Sequence, residues 1–147
     1  MKSRTRARSI ALQVLYEIDI ANHPPAEILN ERLEETPLTD TLAEFSRQIV
    51  CGVLPLATEL DLIIAKYAPE WPFDQMAAID RNILRVACWE FAVQGETPVK
   101  VAINEAVELA KMYGSDSAPR FINGVLGSLV EHQTEIKQQL HTITKEN

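Results

Sequence analysis

Lys2, Arg4, Arg6 and Arg8 put four cations into the first eight residues, with no acidic side chain among them. Ammonium and guanidinium groups at that density suit an anion, above all the phosphate oxygens of a nucleic acid backbone. The formal net charge is nonetheless −7, and residues 9–147 carry 10 basic against 21 acidic side chains. A local basic end on an acidic body is the asymmetry of a protein that grips an anion at one place; the plainer alternative is a basic tail with no partner. Tyr16, Tyr67, Trp71 and Tyr113 are candidate stacking platforms for bases, or else the edges of a core. Cations together with aromatics favour single-stranded RNA over duplex DNA, because loops and single strands expose bases for stacking.

Catalytic constellations are weak by comparison. Glu105 and Glu108 share one helix face, but carboxylates at that spacing on a polar face are ordinary solvated groups. His23, His132 and His141 have no nucleophile beside them, and five glycines form neither a dinucleotide fingerprint nor a phosphate loop. Gly124-Val-Leu-Gly127 has the GxxG form of a KH loop, but it lies inside an apolar helical repeat, which favours close packing. Cys51 and Cys88 lie far apart with no histidine at ligand spacing, and both read as buried core cysteines. The sequence therefore predicts no catalytic residue, no metal site, no cofactor and no enzymatic activity.

The elements that must position the cations are helical. Residues 4–21 carry a main stripe of Ala7, Ile10, Ala11, Val14, Leu15 and Ile18, with Leu12, Tyr16 and Ile20 on the far side. Such a helix is central, so Arg4 and Arg8, one turn apart, stand on a base clamped into the core. Four cations at a helix N-terminus oppose the macrodipole, at a cost of about 0.3–1 kcal/mol each when exposed. A short helix follows over Ala26–Glu35, then one opened by a Thr41-x-x-Glu44 capping box and ending near Val53, then one from Pro55 to about Tyr67.

The Tyr67–Pro72 connection divides the chain into an N-terminal helical group, about 1–68, and a C-terminal group, about 72–135. From Asp74 a stripe resumes through Met76, Ile79, Ile83, Leu84, Ala87, Cys88 and Phe91; Asp80 falls within it, and is expected to cap the helix start. Arg81 and Arg85 flank this helix as a solvated face or a second basic surface.

The clearest pattern is the pair of helices over Pro98–Leu129, expected to be capped by Thr97 and closed by a left-handed Gly114. The second of the pair pairs a core face of Phe121, Ile122, Val125, Leu126 and Leu129 with a side nearly without bulk, Gly124 and Gly127 included. Beyond Leu129 the pattern thins into a helical extension expected to fray. No segment alternates as a strand, so the class is all-α: about seven helices in two packed bundles within one domain of 147 residues, 46% hydrophobic. No apolar run near the ~18 residues of a membrane span is evident, nor a signal peptide, so the expectation is a cytoplasmic protein without membrane association.

Four ordered runs carry a resemblance: Arg6–Tyr16 (RARSIALQVLY), Ile79–Arg85 (IDRNILR), Pro98–Lys111 (PVKVAINEAVELAK) and Arg120–Leu126 (RFINGVL). Together they resemble the NusB family of transcription antitermination proteins over nearly the whole chain. The resemblance implies two three-helix groups and a partner, the ribosomal protein NusE, with which the family binds the single-stranded boxA element of nascent ribosomal RNA. It further implies work with other antitermination factors and RNA polymerase to resist premature termination. Carried over by position, Lys2, Arg4, Arg6 and Arg8 match the arginine-rich RNA-binding end. Tyr16, Tyr67, Asp80, Arg85, Lys100, Tyr113 and Phe121 match positions at or near the RNA surface, and Arg120 lies on the polar edge that extends it.

The sequence departs in having Val99 where some members carry an aromatic, and in arginines interspersed with Thr and Ala. The helical domain is also similar to the N-terminal part of certain ribosomal RNA cytosine methyltransferases, whose catalytic domain would not fit in the remaining residues. Some members form homodimers, and the sequence leaves monomer and homodimer open. A second functional reading is a protein-docking module whose acidic body holds a basic ribosomal protein, with only incidental RNA contact.

Overall fold

The computed structural model describes residues 2–146, without the side chain of Glu146. Eight α-helices and no strand occur among them: α1 Ser3–Ala21, α2 Pro25–Glu35, α3 Asp40–Val53, α4 Ala57–Tyr67, α5 Ala78–Trp89, α6 Val99–Tyr113, α7 Ala118–Val130 and α8 Gln133–Glu146. The chain forms two compact units, Met1–Pro55 and Leu56–Asn147. Seven of the helices follow the apolar stripes of the sequence, and α8 is the C-terminal extension. That extension, expected to fray, forms a helix that buries Ile136 and Leu140 fully.

In the first unit α1 packs on both α2 and α3. Ala7, Ile10, Ala11, Leu12, Val14 and Leu15 are buried, each larger side chain contributing about 1.5–3 kcal/mol of transfer free energy. The far side of α1 closes sooner than its pattern suggests, for Tyr16 is half-buried and Ile20 is 58% exposed. Ser46 Oγ donates to the Ala7 carbonyl at 2.8 Å inside the core, tying α3 to α1. Between α1 and α2, Arg32 donates to Gln13 Oε1 at 2.9 Å and to Glu17 Oε1 at 3.0 Å. His23 lies 3.1 Å from the second Glu17 oxygen, and these bonds, that of His23 first, lower the Glu17 carboxyl pKa. The cap of α3 is Thr39, whose Oγ1 accepts from Leu42 N–H at 3.4 Å; the Thr41–Glu44 pair stands two residues inside the helix instead. Cys51 is exposed, correcting its expected burial.

In the second unit α5 packs on α6 and α6 on α7, while α4 packs on α5 and α7. Thus α4, grouped by the sequence with the N-terminal helices, lies in the second unit, where Leu60, Ile63 and Ile64 enter its core. Arg85 Nε and Nη2 reach Asp61 Oδ1 and Oδ2 at 2.7 and 2.6 Å, and Nη1 donates to Asn82 Oδ1 at 3.1 Å. This fork joins α5 to α4. Cys88 is fully buried, which pushes its thiol up to about 12. By length and composition the continuous helical stretch Asp40–Tyr67 could cross a membrane, contrary to the absence of such a run expected from sequence. Its apolar faces are instead used in the cores through Phe45, Ile49, Val50, Leu60, Ile63 and Ile64.

Helix boundaries depart from their local signals at three places. Helix α5 starts at Ala78 after an uncapped Ala77, so Asp80 sits in the first turn and caps nothing; its Oδ1 is buried without a hydrogen bond among the described residues. Thr97 does not cap α6 either, since its Oγ1 donates to Glu90 Oε1 at 3.1 Å in the π-turn Glu90–Gln94 that closes α5. Gly114 is extended, at φ −92°, not left-handed. It is needed for space: a Cβ there would lie 2.5 Å from Ala118 Cβ and 2.9 Å from the Ala110 carbonyl oxygen. The left-handed glycine is Gly95, φ 72°, at the end of the π-turn.

On α7 the Trp71 ring fills the space over Gly124, where a Cβ would fall 2.9 Å from Trp71 Cζ2, whereas Gly127 has nothing within 4 Å. Ala in place of Gly gains about 0.5–1 kcal/mol of helix propensity, and overpacking costs about 1–3 kcal/mol. Gly127→Ala is therefore expected to raise the urea midpoint and Gly124→Ala to lower it by the equivalent of about 1 kcal/mol; the same sign at both sites would contradict the packing.

Burial raises the Asp80 carboxyl above its ordinary 3.8, so the folded state holds that proton more tightly than the unfolded chain. The resulting penalty is absent below 3.8, develops as pH rises from there, and is complete above the raised value. Asp80→Asn should increase Tm at about pH 7 and lose that gain at about pH 3, as thermal melts at the two pH values would show.

Candidate nucleic-acid interface

Helix α1 brings its cations to one end without neutralising them. Lys2, Arg4 and Arg6 are exposed, the first turn holds no acidic residue, and no carboxylate among the described residues pairs with these three. The helix starts without a side-chain cap, so its free amide groups lie at the same end as the cations. Arg8 differs. It is 3% exposed, which corrects its expected place on the open surface, and its Cζ lies 5.1 Å from the centroid of the Phe45 ring. Arg4 Cζ stands closer over the same ring, at 4.0 Å. Phe45 belongs to α3 and is buried, so the sequence marks it only as one member of a core stripe. Its role under two guanidiniums had no linear signal, because 41 and 37 residues of chain separate it from Arg4 and Arg8.

The remaining candidates of the second unit fall into separate places. Asp80 and Phe121 share a cavity of about 250 Å³ with Met76, Ser115 and Ser117, at the turn between α6 and α7. Asp80 Oδ1 lies close beneath Gly114, 3.3 Å from where a Cβ would stand. Phe121 is half-buried, with the Trp71 ring edge-on at 5.4 Å and 87°. Arg120 is exposed beside it in the first turn of α7, and Tyr113 is 37% exposed at the end of α6. Lys100 is exposed at the other end of α6, about 20 Å away along the axis at 1.5 Å per residue.

Two candidates are committed elsewhere. The Arg85 side chain is 10% exposed and engaged by Asp61, so it belongs to the core and adds no second basic surface. Tyr67 accepts a hydrogen bond from Gln139 Nε2 of α8 at 2.8 Å, has the His132 ring 5.0 Å away and Lys66 Nζ at 5.0 Å over its own ring. A base could stack on Tyr67 only by displacing such neighbours. Tyr16, in the first unit, is half-buried on α1. A larger open cleft of about 710 Å³ in the second unit is lined by Leu62, Ala65, Pro69, Trp71 and Phe73, with Asp61, Asp74, Arg81 and Arg85 as its charged side chains.

Comparison with known proteins accounts for this arrangement of helices. The sequence model of the NusB family matches residues 5–131. The transcription antitermination protein NusB of Roseiflexus castenholzii is 48% identical over 134 residues, covering 90% of this chain and 94% of that protein. NusB of Bacillus pumilus is 41% identical over 139 residues, covering 95% and 100%. Among solved structures, NusB in a complex of the antitermination factors NusB and NusE with double-stranded RNA is similar at 28% identity and a TM-score of 0.80, over 90% of this chain and 98% of that one. NusB of T. maritima is similar at 29% identity and a TM-score of 0.79, over 87% and 90%. With a family model that matches residues 5–131 and relatives 41–48% identical over most of its length, the chain belongs to the NusB family of transcription antitermination proteins.

Proposed function

We propose that this chain acts in antitermination by binding the boxA element of nascent ribosomal RNA, as a single strand, together with NusE, and so helps RNA polymerase and the other antitermination factors resist premature termination. The observation that carries the RNA contact is the exposed set Lys2, Arg4 and Arg6 on the uncapped start of a helix whose next turns are buried. Anchored cations keep their positions while a phosphate approaches, unlike those of a loose tail. The similarity to a NusB solved with NusE and double-stranded RNA supports NusE and RNA as the partners. Within the second unit, Lys100, Tyr113 and Arg120 are the exposed candidates and Phe121 is half-buried, while Arg8 of the first unit and Arg85 of the second are buried. The apolar cleft beside Leu62, which is 66% exposed, favours a protein partner on the second unit as well.

Three phosphate-contacting cations on a single strand give a slope of log affinity against log salt of about −2, and each contact is worth about fivefold at 0.1 M salt. Binding of boxA RNA to the chain with NusE, across a salt series, should show that slope. Arg4→Ala with Arg6→Ala should weaken binding about 25-fold at 0.1 M salt and flatten the slope to about −0.7. Salt-independent binding, or unchanged affinity of the double variant, would overturn the phosphate assignment. RNA retention only in the presence of NusE, with no dependence on these arginines, would favour the protein-docking module.

A further inference from the structure

We infer that Phe45 is a positioning residue for RNA phosphate: its ring holds the Arg4 guanidinium in place as a preformed fork. The inference rests on the RNA reading above and adds to it an uncharged residue of another helix. Arg4 Cζ lies 4.0 Å from the ring centroid, within the range of a cation–π contact, while the ring itself is 5% exposed. Buried so, Phe45 cannot serve as a platform for a base. The ring face is occupied by guanidinium.

A guanidinium lying with its face on a ring keeps its N–H donors, which lie in its own plane, around the open edge, and the 4.0 Å separation suits that arrangement. Those donors are what a phosphate needs. An arginine in free solution must give up rotamer freedom when it binds, whereas one already laid on a ring has lost part of it beforehand. The ring is itself held at a fixed distance from the arginine's helix: Ser46, the next residue, donates to the Ala7 carbonyl of α1 at 2.8 Å. Arg8, 5.1 Å from the same centroid, is 3% exposed, so of the two cations at this ring Arg4 is the one open to solvent. A lysine at position 4 would keep the charge but not the planar stack, so the charge alone does not reproduce the site.

The test is binding of single-stranded boxA RNA at about 0.1 M salt by the full chain with NusE, for Arg4→Ala, Arg4→Lys, Phe45→Leu and the Arg4→Ala/Phe45→Leu pair, each checked by thermal melting. Arg4→Ala is expected to bind about fivefold more weakly. Phe45→Leu should lose about threefold, Arg4→Lys should lose affinity despite its retained charge, and the pair should be no weaker than Arg4→Ala alone. Additive losses in the pair would mean that Phe45 acts through the fold and not through Arg4, which overturns the inference. Wild-type affinity in both Phe45→Leu and Arg4→Lys, with Arg4→Ala weakened, would likewise overturn it and leave the RNA reading standing. If Phe45→Leu does not fold, Arg4→Lys decides, and wild-type binding by it sinks the proposal. Unchanged affinity in Arg4→Ala itself would reject the phosphate role of Arg4, and the role of Phe45 with it.

Discussion

Cations gathered on the first turns of α1 repel one another and face the positive end of the helix dipole, so this helix start opposes its own formation. What holds it is the turn that follows: Ala7, Ile10, Ala11 and Leu12 are buried, and the Ser46 hydroxyl fastens the Ala7 carbonyl from α3. Burial of the apolar stripe outweighs an electrostatic cost of about 0.3–1 kcal/mol per exposed cation. The rest of the first unit depends on this balance. Helix α3 supplies both the hydroxyl and, one residue earlier, the Phe45 ring on which Arg4 and Arg8 converge. Charge that would be diffuse on a tail is thereby given a direction.

Arg85 of the second unit is used in the opposite way to Arg4. Arg85 is spent on Asp61 and Asn82, joining α5 to α4 through a bidentate contact that is mostly shielded from water. Such a pair costs desolvation, and removing either partner would strand the other as an uncompensated charge. The open features of this unit are aromatic and apolar: Phe121 against Trp71, the cavity beneath the α6–α7 turn, and the cleft beside Leu62. A strand of RNA and a protein partner make different demands. Concentrated positive charge serves the first, and exposed apolar surface serves the second.

Local signals read well where one residue type has one use. Most of the apolar stripes of α3, α6 and α7 are buried as their spacing requires: Phe45, Ile49, Val50 and Val53, then Ala102, Ala106, Leu109 and Ala110, then Ile122, Val125, Leu126 and Leu129. They read poorly where a residue has two uses. Thr97 could cap α6 or bond to Glu90, and the buried carboxylate won because it needs a donor more than an exposed helix end does. Asp80 could have capped α5, but the helix begins two residues earlier, and its carboxyl is left beneath Gly114. Gly114 itself looks like a left-handed stop, yet it is small because Ala118 and the Ala110 carbonyl crowd it.

By itself the sequence determined the all-α class, the order of the helices, the family and the basic end, because periodicity and local charge are properties of consecutive residues. Only the tertiary structure decided which of the cations are available. Arg4 and Arg8 are one turn apart on the same helix, yet one is exposed and the other is 3% exposed; Arg85, on a flank that could have faced solvent, is taken up by a carboxylate 24 residues away. Exposure and pairing depend on which helix lies alongside, and no spacing within one helix contains that information. Phe45 shows the same thing from the other side: an ordinary core residue in its own stripe, it comes to lie under two guanidiniums because α3 packs against α1.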